Sequence, residues 1–222
     1  MNHEDPRLAA TDVSAALTAT RPIVAERAMY LSRPGLAYAA GHASAGARAP
    51  STTWAIAEGA TGPFFDLFLL LANPGEDAAD VRLRYLLPDG TTVERQHVVP
   101  PGSRATVWVD YDAPALADTA VSTIVTSGNG VPVIAERAMW WPGPPPQWLE
   151  AHAASASPGA ARQWLLPPSA VLTEGAHSFL LIANPAAAET AVEVVFRFED
   201  GTTQRLARTL PAQSRANVWV NV

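Results

Sequence analysis

Two acid–cation pairs stand out among the residues that could do chemistry: Glu26 with Arg27, and Glu136 with Arg137, each inside the pentapeptide AERAM. A carboxylate beside a guanidinium can orient a substrate, but catalysis also needs a nucleophile or a histidine in register. The five histidines fall at 3, 42, 97, 152 and 177, with no HExxH spacing. His42 in GHASAG and His152 in AHAASA occupy matching places, one per copy of the repeat described below, and neither has a second ligand at zinc spacing. GHASAG lacks the strand-to-helix setting of a nucleophile elbow. No phosphate-cradling glycine loop opens a helix, and no acidic loop has EF-hand spacing. A hydrolase would require Glu58 and Asp66 to meet in a cleft. Trp140, Trp141 and Trp148 surround the proline-rich run at 142–146 and could form an apolar platform for a glycan or peptide. The alternative is that these rings pack a connector onto the fold. The residues therefore predict no catalytic, cofactor-binding or metal site, and one candidate ligand or interface patch.

Those residues sit in a repeated chain. RPIVAERAMYL at 21–31 returns as VPVIAERAMWW at 131–141. Asn73 and Asn184, Asp89 and Asp200, and Arg104 and Arg215 each lie 111 positions apart. A period of that length has to be settled before any fold is assigned.

The elements read as strands. Val81, Leu83, Tyr85 and Leu87 alternate with Arg82 and Arg84, and Val192, Val194, Phe196 and Phe198 alternate with Glu193 and Arg197. Period two with one apolar face marks a half-buried strand. Asp89–Gly90 and Asp200–Gly201 supply hairpin turns to return strands at 92–99 and 203–210. Runs at 65–72 and 179–183 each end in Asn-Pro, which stops a strand and begins a turn. SRATVWV at 103–109 and SRANVWV at 214–220 close each set, with Trp108 and Trp219 expected to cap the core; Trp54 and Trp164 mark earlier strands. Segments 8–20 and 116–127 read as first strands of hairpins whose second strands are the AERAM segments. In a strand, Glu26 and Arg27, like Glu136 and Arg137, point to opposite faces, so one of each pair is covered and paired as a structural charge. Segments 32–50 and 142–162, rich in Gly, Ala, Ser and Pro, read as connectors, with His42 and His152 as loop residues.

Composition narrows the classes. With 48% hydrophobic and 16% charged residues among 222, the chain is globular, and 20 prolines with 14 glycines suit short strands and turns. A net charge of −6 gives nucleic acid no basic face. Zero cysteines exclude disulfides and thiolate metal sites. All fifteen cationic side chains are arginine. The first ten residues show no signal-peptide core, and the longest apolar run is too short to span a bilayer.

The expected fold is all-β: two tandem Ig-like β-sandwich domains related by a repeat of about 110 residues. Contiguous division puts the domains at 1–111 and 112–222, each with a hairpin, a connector and five strands. The alternative wiring makes 51–141 one sandwich and leaves 162–222 to be completed by 8–31, within the molecule or from another copy. Donation between copies would build head-to-tail polymers by strand addition.

PIVAERAMYL, GHASAGARAPSTTWAIAEGATGPFFDLFLLLANP, YLLPDGTTV and VSTIVTSGNGVPVIAERAMWW resemble a repeat domain of unknown function from secreted, multi-repeat proteins of actinobacteria and related bacteria. QWLLPPS at 163–169 departs from the TWAIAEG pattern, so Glu58 is not repeated there. The resemblance implies an extracellular or cell-surface Ig-like module with no activity of its own. The expected function is a non-enzymatic structural or adhesion module. The alternatives are a glycan- or peptide-binding module and a self-assembling subunit joined by strand donation. The expected partners are the chain itself or further repeats, without cofactor, nucleic acid or membrane insertion.

Overall fold

The structure, a computed structural model, describes residues 5–8, 11–143, 145, 147–167 and 177–220. Its strands in chain order are β1 (Glu26–Arg33), β2 (Leu36–Ala45), β3 (Thr53–Ile56), β4 (Asp66–Asn73), β5 (Ala79–Leu86), β6 (Thr92–Val99) and β7 (Ser103–Trp108). A single helical turn α1 (Val109–Asp112) precedes β8 (Ser122–Ser127), β9 (Ile134–Trp141) and β10 (Glu150–Ser155). The last four are β11 (Phe179–Asn184), β12 (Thr190–Arg197), β13 (Thr203–Leu210) and β14 (Ser214–Trp219). The chain is all-β, as expected.

One sandwich is complete. Its sheets run β10-β9-β4-β7 and β3-β8-β5-β6, every pairing antiparallel. Leu67, Leu69 and Leu71 from one sheet and Val81, Leu83 and Tyr85 from the other are each at most 1% exposed, and with Val107, Val125 and Met139 they form one core. Period-two alternation does this, since every second side chain on each strand reaches the same interior.

The expected division at 111/112 is corrected: it runs through this sandwich, because β9 pairs with β4 and β8 with both β3 and β5. The pairings match the alternative wiring for 51–141 and add β10 from the supposed connector. Both connectors hold strands, so His42 lies on β2 and His152 on β10. Nor are β8 and β9 a hairpin. They join different sheets, because each has a fully buried row to place against the common core.

The other copies of these elements form two partial units. β1–β2 pairs Met29 with His42 just as β9–β10 pairs Met139 with His152, and the register is the same throughout the shared length. Gly46 N donates to Ala25 O as Ala156 N does to Ala135 O, both at 3.1 Å. β11–β14 repeats β4–β7, and β12–β13 repeats β5–β6, pair for pair. Completion of 162–222 by 8–31 does not occur here: among the described residues no strand of the N-terminal hairpin pairs with β11–β14. Segment 11–20, the counterpart of β8, is exposed and forms no strand.

Sequence-coded devices recur in both copies. Gly90 and Gly201 take φ of 85° and 81° in the Asp-Gly turns, a region where a Cβ would be strained. Asn73 Nδ2 donates to Asp77 O and Val99 O while its Oδ1 accepts from Gly75 N. Asn184 does the same with Ala188 O, Leu210 O and Ala186 N, and its Nδ2 also lies within reach of Pro211 O. Each buried amide thereby satisfies main-chain groups that the strand end leaves open.

Candidate functional site

The AERAM pair splits as strand geometry requires. On β9, Arg137 points inward and is 4% exposed, while Glu136 points to the outer face. Arg137 Nη2 donates to Glu58 Oε2 at 2.5 Å, and its Nη1 lies 3.1 Å from His152 Nδ1. Arginine can only donate, so Nδ1 accepts and the imidazole carries its proton on Nε2, 3.6 Å from Glu58 Oε1. Burial pushes the Glu58 carboxyl up, but the His152 hydrogen bond and the Arg137 charge outweigh it and hold the group below its ordinary value. Burial lowers the Arg137 value, and the charges of Glu58 and Glu136 work against that. A carboxylate, an imidazole and a guanidinium thus meet at one spot, and the charge of Arg215, on β14, also acts on Glu58.

On β1, the matching Arg27 has a different partner. It makes a two-pronged ion pair with Glu136, 2.8 Å to Oε2 and 2.7 Å to Oε1, and Ser44 Oγ joins at 3.1 Å. Arg33 to Glu150 at 3.2 Å and Ser155 Oγ to Ala45 O at 2.9 Å continue the contact. The hairpin therefore sits on the outer face of β9–β10, with Met29, Leu31, Ala40 and His42 against Trp140 and Ala151. Glu26 is exposed.

Sequence reasoning missed a second cluster. Tyr85 Oη donates to Asp112 Oδ2 at 2.8 Å, His97 Nε2 lies 3.2 Å from Asp112 Oδ1, and Arg95 Nε donates to Asp112 O. Burial followed by the Asp112 charge drives the Tyr85 phenol well above its usual range. Asp110, in α1, accepts from Gly62 N and Leu67 N at 3.1 and 2.9 Å; burial outweighs these bonds and raises its value. Both carboxylates fasten α1 across the end of the core. The signal was faint: a buried-phase tyrosine on β5 and two aspartates around Tyr111.

The tryptophans divide too. Trp141 turns inward, edge-on to Phe65 and beside His152, whereas Trp140 turns outward. Adjacent strand residues cannot share a face, so the three rings form no single platform. Trp148 joins Trp140 at 5.1 Å and bonds Asp66 through Nε1. Asp66 is thus committed to Trp148 and Glu58 to Arg137. Trp108 does not cap the core as expected. It shares the outward phase of Arg104 and Thr106 and packs on Phe68 at 5.1 Å and Tyr111 at 4.7 Å. Phe68 in turn meets Trp148 at 6.1 Å, giving an outer row Trp140, Trp148, Phe68, Trp108, Tyr111. Its end is open, since Tyr111 is 76% exposed, and Trp108 Nε1 is buried without a hydrogen-bond partner. Trp219 and Phe179 repeat the Trp108–Phe68 pair at 5.8 Å, also outward. Trp54 is a core residue, donating to Val133 O at 2.7 Å, but Trp164 is 58% exposed and off any strand.

Among the described residues no group of three or more His, Asp or Glu is arranged to hold a metal, and no helix is long and apolar enough to cross a membrane. No family model and no curated protein matches the chain. Several solved structures are similar over part of it, two of them as follows. One, of Thermotoga maritima 1070, has 16% identity and a TM-score of 0.43, covering 49% of this chain and 94% of that one. The other, the Anabaena sensory rhodopsin transducer, has 22% identity and a TM-score of 0.36, covering 41% and 91%. Likeness at this level adds nothing to a functional reading.

Proposed function

We propose that the chain is a non-enzymatic structural or adhesion module, a run of β-sandwich repeats placed outside the cell or on its surface. What carries the reading is what the repeat duplicates. Asn73 and Asn184, the Asp-Gly turns and the strand registers return in both copies, and all are folding devices. The Tyr85 cluster does not return: Tyr85 is matched by Phe196, Arg95 by Leu206 and His97 by Arg208. Arg137 and His152 return as Arg27 and His42 but without a counterpart of Glu58, and Arg27 pairs with Glu136 instead. The extracellular placement rests on the family resemblance of the AERAM and Asn-Pro segments. Chemical denaturation of Glu58→Gln tests the reading. A scaffold charge predicts a lowered midpoint, whereas charges kept for function are commonly held against stability, so an unchanged or raised midpoint would contradict it.

The outer aromatic row supports a second reading, a glycan-binding face, through the exposed Tyr111 ring at its end, edge-on to Trp108. Soluble oligosaccharides should then shift tryptophan emission in the native chain and not in Trp108→Ala. Absence of a shift at millimolar sugar removes that reading.

A further inference from the structure

We infer that two copies of this chain join head to tail, with residues 12–45 of one completing the partial sandwich at 179–219 of the other. The inference rests on the reading of the chain as a structural repeat module and names its partner. The complete sandwich is the template. There β4 has two neighbours, β7 and β9, and β5 has two, β6 and β8. Among the described residues their counterparts β11 and β12 have one each, β14 and β13. The edges on that side pair with no described strand, and such an edge can accept one.

The pieces that fit those edges are in the same sequence. β1–β2 already has the register of β9–β10, and segment 13–18 (VSAALT) matches VSTIVT at 121–126. Burial shows what is unfinished. Val121 and Val125 are 0% exposed, while Val13 and Leu17 are 50% and 66% exposed. Leu69, Leu71 and Leu83 are at most 1% exposed, whereas Leu180, Ile182 and Val194 are only half-buried. Completing the partial unit covers both sets at once, which is the driving force for the exchange.

The donor comes from a second copy because a single chain holds the two parts apart. The hairpin sits on the outer face of β9, through Arg27 and Glu136. The partial unit touches the opposite sheet, where Arg84, on the outward phase of β5, donates to Pro185 O at 3.3 Å. An acceptor at one place and a donor at another make a heterologous contact, which extends from copy to copy. The donor leaves its seat on Glu136 to make it.

The template also sets the register. Phe68 faces Ala138, so Phe179 of one copy should face Ala28 of the next, with Leu180 opposite Arg27. The native chain has no cysteine, so single-cysteine variants report cleanly. Ala28→Cys and Phe179→Cys both fall at exposed positions and should leave the fold intact. Mixed and oxidised, they should give a disulfide-linked dimer of twice the 23.4 kDa chain mass. Ala28→Cys mixed with Leu180→Cys, whose side chains leave opposite faces of the sheet, should give none. Light scattering on the unmodified chain should show a mass that rises with concentration. A constant monomer mass with no mixed disulfide overturns the inference. So does a chain carrying both cysteines that closes only on itself as a monomer. Either failure leaves the Glu58 denaturation test of the module reading untouched.

Discussion

Removing the Glu58 carboxylate should unfold this protein more readily, and the size of the effect follows from where its partner lies. The Arg137 side chain is 5% exposed and that of Glu58 34% exposed. In Glu58→Ala the guanidinium stays buried with only the His152 ring nitrogen to receive it. Breaking one side of a buried ion pair costs roughly 3–5 kcal/mol, and water reaching the third-exposed carboxylate reduces that to about 2–3 kcal/mol. With a urea slope near 2 kcal/mol per molar, the midpoint should fall by roughly 1–1.5 M. The double variant Glu58→Leu/Arg137→Met removes both charges and should recover all but about 1 kcal/mol, since an apolar pair needs no desolvation. The pH dependence fixes the sign. Glu58 is held below 4.5 in the fold, so its contribution is whole above the ordinary carboxylate range and vanishes as pH falls through its lowered value. Native and Glu58→Ala curves should therefore converge in acid. A single variant as stable as the native chain at pH 7, or a double variant worse than the single one, would refute the reasoning.

Other expectations concern the two copies and the hairpin seat. Leu69→Ala, in the closed core, should cost about 3 kcal/mol or more, and Leu180→Ala, at the matching place in the partial unit, under half of that in dilute solution; urea titration of both compares them directly. Asn73→Asp should destabilise as badly as Asn73→Ala, by about 2 kcal/mol, because a carboxylate cannot donate to Asp77 O and Val99 O. Burial, then the charges of Arg27 and His152, lowers the His42 value, with the Ala151 main chain and Glu136 opposing. A histidine kept neutral in the fold loses stability as pH falls from its unfolded value of 6.5 towards its folded one. Amides of 26–45 should thus exchange faster at pH 5.5 than at 7.5 after the intrinsic correction, and His42→Gln should remove the difference.

Much of this architecture was readable from residue types. Asp89–Gly90 and Asn73–Pro74 announce their turns because glycine and proline restrict the backbone whatever surrounds them. Period-two alternation in 81–87 places its strand. The phase of the repeat was not readable. A period of 111 is the same wherever the first unit is taken to start, so Asn73 and Asn184 could not say whether β9 belongs with β4 or with β11. β10 was hidden because AHAAS has little strand propensity; it forms beside β9, where tertiary pairing overrides that preference. The outward place of Trp108 is legible in its alternation with Val107 and its shared phase with Arg104. Trp140 and Trp141, adjacent on one strand, had to diverge. Tyr85, Asp112 and His97 meet only through the tertiary fold.

Hydrogen exchange read by mass spectrometry, on dilute native chain, addresses the central claim that the finished sandwich crosses the repeat boundary. Segments 66–73 and 134–141 pair with each other along seven residues and should exchange together among the slowest in the molecule, while 12–20 exchanges within seconds. If 134–141 exchanged as fast as 12–20, the β4–β9 pairing, and the unit built on it, would be wrong.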